Sequence, residues 1–96
     1  MDERRKLTEK EVEARLANLR GWSVANGKLH KEFKFKDFKQ AFGFMASVAL
    51  VAESMDHHPD WSNVYNRVTI DLVTHDLGGI STYDIEFASR VDKLRD

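Results

Sequence analysis

The sequence predicts an α+β fold, a single domain over residues 1–96 with a four-stranded antiparallel sheet and helices packed on one face. Three observations carry the prediction. Two stretches alternate apolar and polar residues on either side of tight-turn signals, which is the period of a half-buried strand. Three others repeat apolar residues at helical spacing. Two of the three helix starts carry a hydroxyl residue with an acidic residue three positions on, the capping-box pattern. The resulting order is α-β-β-α-β-β-α, with helices expected on one side of the hairpins.

The elements follow in order. Thr8 with Glu11 opens a helix over residues 9–18, with Val12, Leu16 and Leu19 as its apolar face and Gly21 marking its end. Trp22-Ser23-Val24 meets Asn26-Gly27, a pair that tolerates the positive φ of a two-residue hairpin turn. Beyond it Leu29, Lys31, Phe33 and Phe35 alternate with His30, Glu32, Lys34 and Lys36. Asp37 caps a long second helix. Phe38, Ala41, Phe42, Met45, Ala49 and Ala52 form one apolar stripe on it, and Phe44, Val48, Val51 and Met55 a second beside the first. So wide an arc suits burial against the sheet and against something else, such as a second subunit. Pro59 is expected to end this helix near His57. Val64-Tyr65 and Val68, Ile70 and Leu72 give two more strands with a turn at Asn66. Asp76-Leu77-Gly78-Gly79 forms a turn. Ser81 with Asp84 then opens the last helix, where Tyr83, Phe87, Val91 and Leu94 share a face.

Composition narrows the function classes. With 42% hydrophobic and 32% charged residues and one proline, the chain is far from the signature of disorder. A domain of 96 residues buries a modest fraction of its surface, so a core shared between subunits would help it. Fifteen Lys and Arg against sixteen Asp and Glu leave no basic excess for general nucleic-acid binding. The short run Arg4-Arg5-Lys6 is expected to be solvated. The absence of cysteine excludes a disulfide framework, a thiolate zinc site and a thiol nucleophile. No apolar stretch backs the charged start, and the longest apolar run, over residues 46–52, is interrupted by Ser47. The expectation is a cytoplasmic protein, or one imported in mature form, with no membrane span.

The residues suited to chemistry are concentrated. Three of four histidines, His57, His58 and His75, fall within a 19-residue window that also holds Asp56, Asp60, Asp71 and Asp76, with Glu53 just before it. Imidazole titrates nearest neutrality, so a histidine cluster suits proton transfer. At a helix C-terminus, with Glu53 one turn earlier, His57 would be favoured in its protonated form and so equipped as an acid. His75 follows a strand and precedes a turn, from which its ring can reach a cleft. Simpler readings compete. A histidine at a helix end is commonly a favourable charge only, Glu53 and Asp56 suit solvated surface, and Trp61 suits the core. Asp84 is read first as the capping partner of Ser81, and His30 is given no role. Three histidines and a carboxylate could also hold zinc or iron. Adjacent His57 and His58 diverge, however, and no clustered ligand spacing is present, so no metal is expected.

Composition and spacing end there, without a substrate. Glu53-Ser54-Met55-Asp56-His57-His58-Pro59-Asp60-Trp61 resembles the E-x-x-x-H-H-P-x-W signature of the pterin-4a-carbinolamine dehydratases. The segment from Ser62 to Val68, Val73-Thr74-His75-Asp76, and Gly79-Ile80-Ser81 with Asp84 are similar to the stretches that follow in that family. Phe33-x-Phe35-Lys36-Asp37-Phe38 and Gln40-Ala41-Phe42-Gly43-Phe44-Met45 resemble its upstream part. The similarity runs from Leu7 to the last helix.

The resemblance implies a lyase that dehydrates 4a-hydroxy-tetrahydropterin to quinonoid dihydropterin, recycling the pterin of aromatic amino acid hydroxylases. The pterin is the substrate, and no cofactor is needed. The resemblance assigns catalysis to His57, His58 and His75, with His57 and His75 as the acid–base pair and His58 binding and polarising the adduct. Asp56, Pro59, Trp61, Val73, Thr74 and Asp76 would line the pterin site, partly through backbone groups. Glu53 would orient His57, and Asp84 would support the site. The resemblance further implies a homo-oligomer, a dimer or tetramer, and in animal members a protein partner, a homeodomain transcription factor. Two other classes stay in view: an interaction module with this fold and no catalysis, and a metal-binding protein.

Overall fold

The computed structural model describes residues 3–95, so the domain limits at residues 1 and 96 lie outside the described residues. The chain runs α1 (Glu9–Leu16), β1 (Ser23–Ala25), β2 (Lys28–Lys34), α2 (Phe38–Met55), β3 (Asp60–Val64), β4 (Arg67–Leu72) and α3 (Thr82–Lys93), with a 3-10 turn at His75–Leu77. This is the α-β-β-α-β-β-α order that the periodicity predicts. The four strands form one antiparallel sheet in the order β1-β2-β4-β3.

Alternation sets the core. Leu29 and Phe33 of β2 and Val68, Ile70 and Leu72 of β4 turn inward, against Ala41, Phe44, Val48, Ala52 and Met55 of α2 and Phe87, Ala88 and Val91 of α3. Phe33 and Phe87 are sealed completely, and burying such a side chain stabilises the fold by about 1.5–3 kcal/mol. Phe44 packs at ring-centroid distances of 4.8 Å from Phe33 and 4.9 Å from Phe35, binding α2 to the sheet. Lys28, His30, Glu32, Arg67, Thr69 and Asp71 alternate onto the opposite, polar face.

The α2 helix resolves its wide apolar arc unequally. The buried line runs through Ala41, Phe44, Val48, Ala52 and Met55, mixing the two stripes, whereas Phe38, Phe42 and Leu50 stay exposed. Leu50 is 73% accessible. Several boundaries also move. α1 stops at Leu16 rather than residue 18, because three-residue turn bonds such as Leu19 N–H to Leu16 C=O take over. The second hairpin begins at Asp60, so Trp61 lies inside β3. Its turn is Tyr65-Asn66, with Tyr65 at φ 51°. Leu94 falls past the end of α3 and is exposed. The Asn26-Gly27 turn has the positive φ at both residues that its sequence calls for.

The start of the chain is stitched to the start of α3. Lys6 bridges to Ser81, Leu7 N–H donates to Ile80 C=O, and Thr82 N–H donates to Arg5 C=O. Arg4 and Arg5 are therefore engaged rather than merely solvated: Arg4 pairs with Asp76 and Arg5 with Glu11. Glu11 is also the capping-box partner of Thr8.

The Arg5 guanidinium, followed by the Thr8 backbone N–H, lowers the Glu11 carboxyl from 4.5 to about 2. A depressed acid contributes stability that is complete above its unfolded value and disappears as pH falls through the folded one. Glu11→Gln should therefore be less stable than the parent above pH 4.5, and the gap should close on acidification toward pH 2. Urea midpoints measured across that window check this.

Candidate active site

Sheet topology brings the predicted segments together. Asp60, the first residue of β3, pairs with Asp71 near the end of β4. The link over residues 56–59 enters the sheet at the same end from which residues 73–76 leave it. After the 3-10 turn, Gly78 at φ 76° reverses the chain, and Thr74 and Gly79 exchange backbone hydrogen bonds of 3.0 and 3.3 Å. That reversal delivers Ser81 and the start of α3 to the same place.

The end of α2 fixes His57. Asp56 adopts the left-handed conformation, φ 49°, ψ 45°. Its N–H bonds Glu53 C=O, and the His57 N–H bonds Ala52 C=O at 3.1 Å, the paired closure of a Schellman turn. The helix thus ends at Met55, through this turn at Asp56, well before Pro59 acts. His57 lies beyond the last turn, and Glu53 does not orient it: the Glu53 carboxylate lies 3.4 Å from His58 Nε2, both side chains being exposed. The one-turn spacing that would pair Glu53 with His57 requires a helix that has already stopped.

His57 is instead oriented by Asp84. Its ring is buried, and Nε2 stands 2.5 Å from Asp84 Oδ1, a carboxylate with no solvent exposure. Asp84 Oδ2 accepts from the Ser81 backbone N–H and the Thr74 hydroxyl, each at 2.8 Å. Thr74 spends its single proton on Asp84, so the Ser81 hydroxyl, 2.6 Å away, donates to Thr74. Ser81 in turn accepts from Tyr83 N–H. Asp84 is therefore the capping residue its spacing predicts and, through its other oxygen, the anchor of His57. Tyr83 and Phe87 stand edge-on to the imidazole, each at 6.1 Å. An ionised Asp84 requires a proton on Nε2. Among the described residues no buried side-chain nitrogen or oxygen lacks a partner, so the unpartnered Nδ1 is the ring atom that meets solvent.

The other two predicted histidines lie at the surface. The side chains of His58 and His75 are 61% and 76% exposed. His75 Nε2 lies 3.9 Å from Asp60 Oδ2, and Lys28 Nζ donates to that same oxygen at 2.8 Å. The Lys28 ammonium, more than His75, holds Asp60 below the usual carboxylate range. Asp76 is likewise held low, first by its hydrogen bonds from Arg4. Asp56 is exposed, Pro59 and Val73 are half-buried, and the half-buried Trp61 rests against the core. Asp60, Lys28 and Arg4 carry no motif of their own. Only the β2–β4–β3 register and the path of the chain start place them here. Among the described residues no three His, Cys, Asp or Glu side chains group as a metal site. No helix among them is long and apolar enough to cross a membrane.

Known proteins resemble this chain in sequence and in fold. The family model described as pterin 4 alpha carbinolamine dehydratase matches residues 5–94. The chain belongs to this family. A provisionally named pterin-4-alpha-carbinolamine dehydratase of Solibacter usitatus is 56% identical over 89 residues, 93% of this chain and 94% of that protein. The crystal structure of a transcriptional coactivator/pterin dehydratase from Brucella melitensis superposes with a TM-score of 0.89 at 46% identity, covering 93% of this chain and 97% of that one. A pterin dehydratase-like protein described as a RuBisCO assembly factor in the alpha-carboxysome gives a TM-score of 0.63 at 28% identity, over 76% and 84%. The dehydratase fold thus also occurs in a protein named for assembly work, so function has to be read from the site.

Asp84→Ala should be costly within this family fold. It strands the Thr74 hydroxyl, the Ser81 N–H and His57 Nε2, and each buried group left unpaired costs about 1–3 kcal/mol. A drop in the thermal midpoint well beyond the roughly 4–8 °C that 1 kcal/mol produces in a domain this size is expected by calorimetry.

Proposed function

We propose that this protein catalyses loss of water from 4a-hydroxy-tetrahydropterin to give quinonoid dihydropterin, by histidine acid–base chemistry, in the cytoplasm. The observation that carries the reading is the buried His57–Asp84 pair, which leaves Nδ1 without a hydrogen bond, with His58 and His75 exposed on the two connections at the same end of the sheet. Family membership supplies the substrate class.

In the reaction the C4a–O bond breaks and its electron pair leaves on oxygen. The oxygen must be protonated to depart as water, while the N5–H bond yields the electrons of the new C4a=N5 double bond. One group donates a proton and another accepts one, and loss of water leaves the oxidation level unchanged, so the step needs no redox cofactor. His57 is suited to accept the N5 proton on Nδ1, because Asp84 holds the ring and stabilises the imidazolium that forms, the service a buried aspartate gives histidine in hydrolase triads. His75 is suited to protonate the leaving oxygen, and His58 to bind and polarise it. Pro59, Trp61, Val73, Thr74, Asp56 and Asp76 lie on the same connections and adjoining strands and would contact the pterin, Thr74 through its backbone, since its hydroxyl is committed to Asp84. The product serves the recycling of an aromatic amino acid hydroxylase cofactor.

Generating the adduct with a hydroxylase and following its ultraviolet decay tests the reading. The parent protein should accelerate decay, and His57→Ala or His75→Ala should lose ~10² to 10⁴ of that acceleration. Decay no faster than in buffer would refute it.

The protein is also proposed to work as a homo-oligomer, a dimer or tetramer, and a transcription factor or hydroxylase component is a further candidate partner. Phe38, Phe42 and Leu50 on the outer side of α2 support this, since they leave an apolar strip open on a single chain. Leu50→Glu should shift the mass seen by light scattering to that of a smaller species. An unchanged mass would move the interface elsewhere.

A further inference from the structure

Arg4 stands 72 residues from Asp76 in sequence and grips it with two hydrogen bonds, Nη1 to Oδ2 at 2.8 Å and Nη2 to Oδ1 at 2.6 Å. Its guanidinium also lies over the Tyr83 ring, 5.6 Å from the centroid, and Tyr83 is edge-on to His57. Arg4 thereby touches both halves of the site: the turn that carries His75, and the aromatic wall of His57. We propose that Arg4 is a positioning residue for this site, bracing the His75–Leu77 turn so that His75 is held in place relative to His57. The proposal rests on the dehydratase reading above.

The Thr74–Gly79 bridge pins the two ends of the turn, and among the described residues Arg4 supplies the only side-chain hydrogen bonds to the turn itself. The turn is three residues long, contains no buried residue and closes through Leu77 N–H to Thr74 C=O and Gly78 N–H to His75 C=O. His75 itself approaches Asp60 only at 3.9 Å, beyond hydrogen-bond reach. The anchor at the other end is firm: the chain on either side of Arg4 is tied to Thr82, whose hydroxyl donates to Glu3 C=O at 2.8 Å and whose N–H donates to Arg5 C=O at 3.0 Å. The ion pair is partly exposed, 37% at Arg4 and 67% at Asp76, so its worth to global stability is small. Its planar, two-pronged geometry fixes direction, which a lysine cannot copy. A group held by such a fork keeps the reacting distance on which rate depends steeply. The fork uses one acceptor site on each Asp76 oxygen and so fixes the direction in which the carboxylate's remaining lone pairs point.

Arg4→Ala and Arg4→Lys, compared with the parent protein, test this by two readouts. Amide hydrogen exchange should quicken at Leu77 and Gly78 by about fivefold or more in Arg4→Ala, with core amides such as that of Ile70 unchanged. In the adduct assay kcat should fall roughly 3- to 30-fold, short of the ~10²-fold that a 1 Å misplacement can cost, with KM within about twofold. Arg4→Lys should recover part of both effects. Unchanged exchange at Leu77 and Gly78 overturns the brace, and so does equal quickening throughout the core. Faster exchange in the turn with parental kcat overturns the role in positioning. Absence of turnover in the parent protein defeats the dehydratase reading instead, and the exchange data then decide the brace alone.

Discussion

The site depends on one buried carboxylate. Asp84 sits at the third position of α3, where its Oδ2 satisfies the helix start through Ser81, and its Oδ1 meets a histidine from the far end of α2. Three elements are locked by that group: the exit of β4 through Thr74, the cap of α3 through Ser81, and the link from α2 to β3 through His57. A buried carboxylate is tolerable only when its oxygens are filled. Here the donors that fill them come from three separate parts of the chain, so folding itself fixes the His57 ring.

Antiparallel pairing supplies the rest of the convergence. With β4 between β2 and β3, the end of β4 and the start of β3 lie side by side. His58 and His75 are carried on the two connections that meet there, and both stay exposed while His57 is sealed. One imidazole is fixed and two are accessible. That division suits a reaction in which a proton is taken at one defined atom and another is delivered to an oxygen that leaves as water.

Local physics made much of this legible. The Thr8–Glu11 and Ser81–Asp84 spacings, the Asn26-Gly27 turn and the strand alternation give the element order and the inward faces, because each depends on residues close together in sequence. The histidine window and the family resemblance supply the candidate residues. Three things were not legible, one local and two set by long-range placement. The Schellman turn at Asp56 puts an aspartate in the left-handed region, a weaker stop signal than glycine and one overshadowed by Pro59, so α2 is expected to reach His57 and Glu53 to face it. The second role of Asp84 hides behind its first, since capping alone accounts for its spacing. The Lys28–Asp60 and Arg4–Asp76 pairs span 32 and 72 residues and follow only from strand register and from the stitching of the chain start onto α3.

The most direct test of the central claim is the tautomer of His57, read by nitrogen NMR of the ring in alkaline solution where the imidazole is neutral. If Asp84 orients the ring, the proton is on Nε2, its resonance disappears from that position in Asp84→Ala, and Nδ1 carries the lone pair. A neutral ring with its proton on Nδ1 would contradict the account, because the atom assigned to meet the substrate proton would already be occupied.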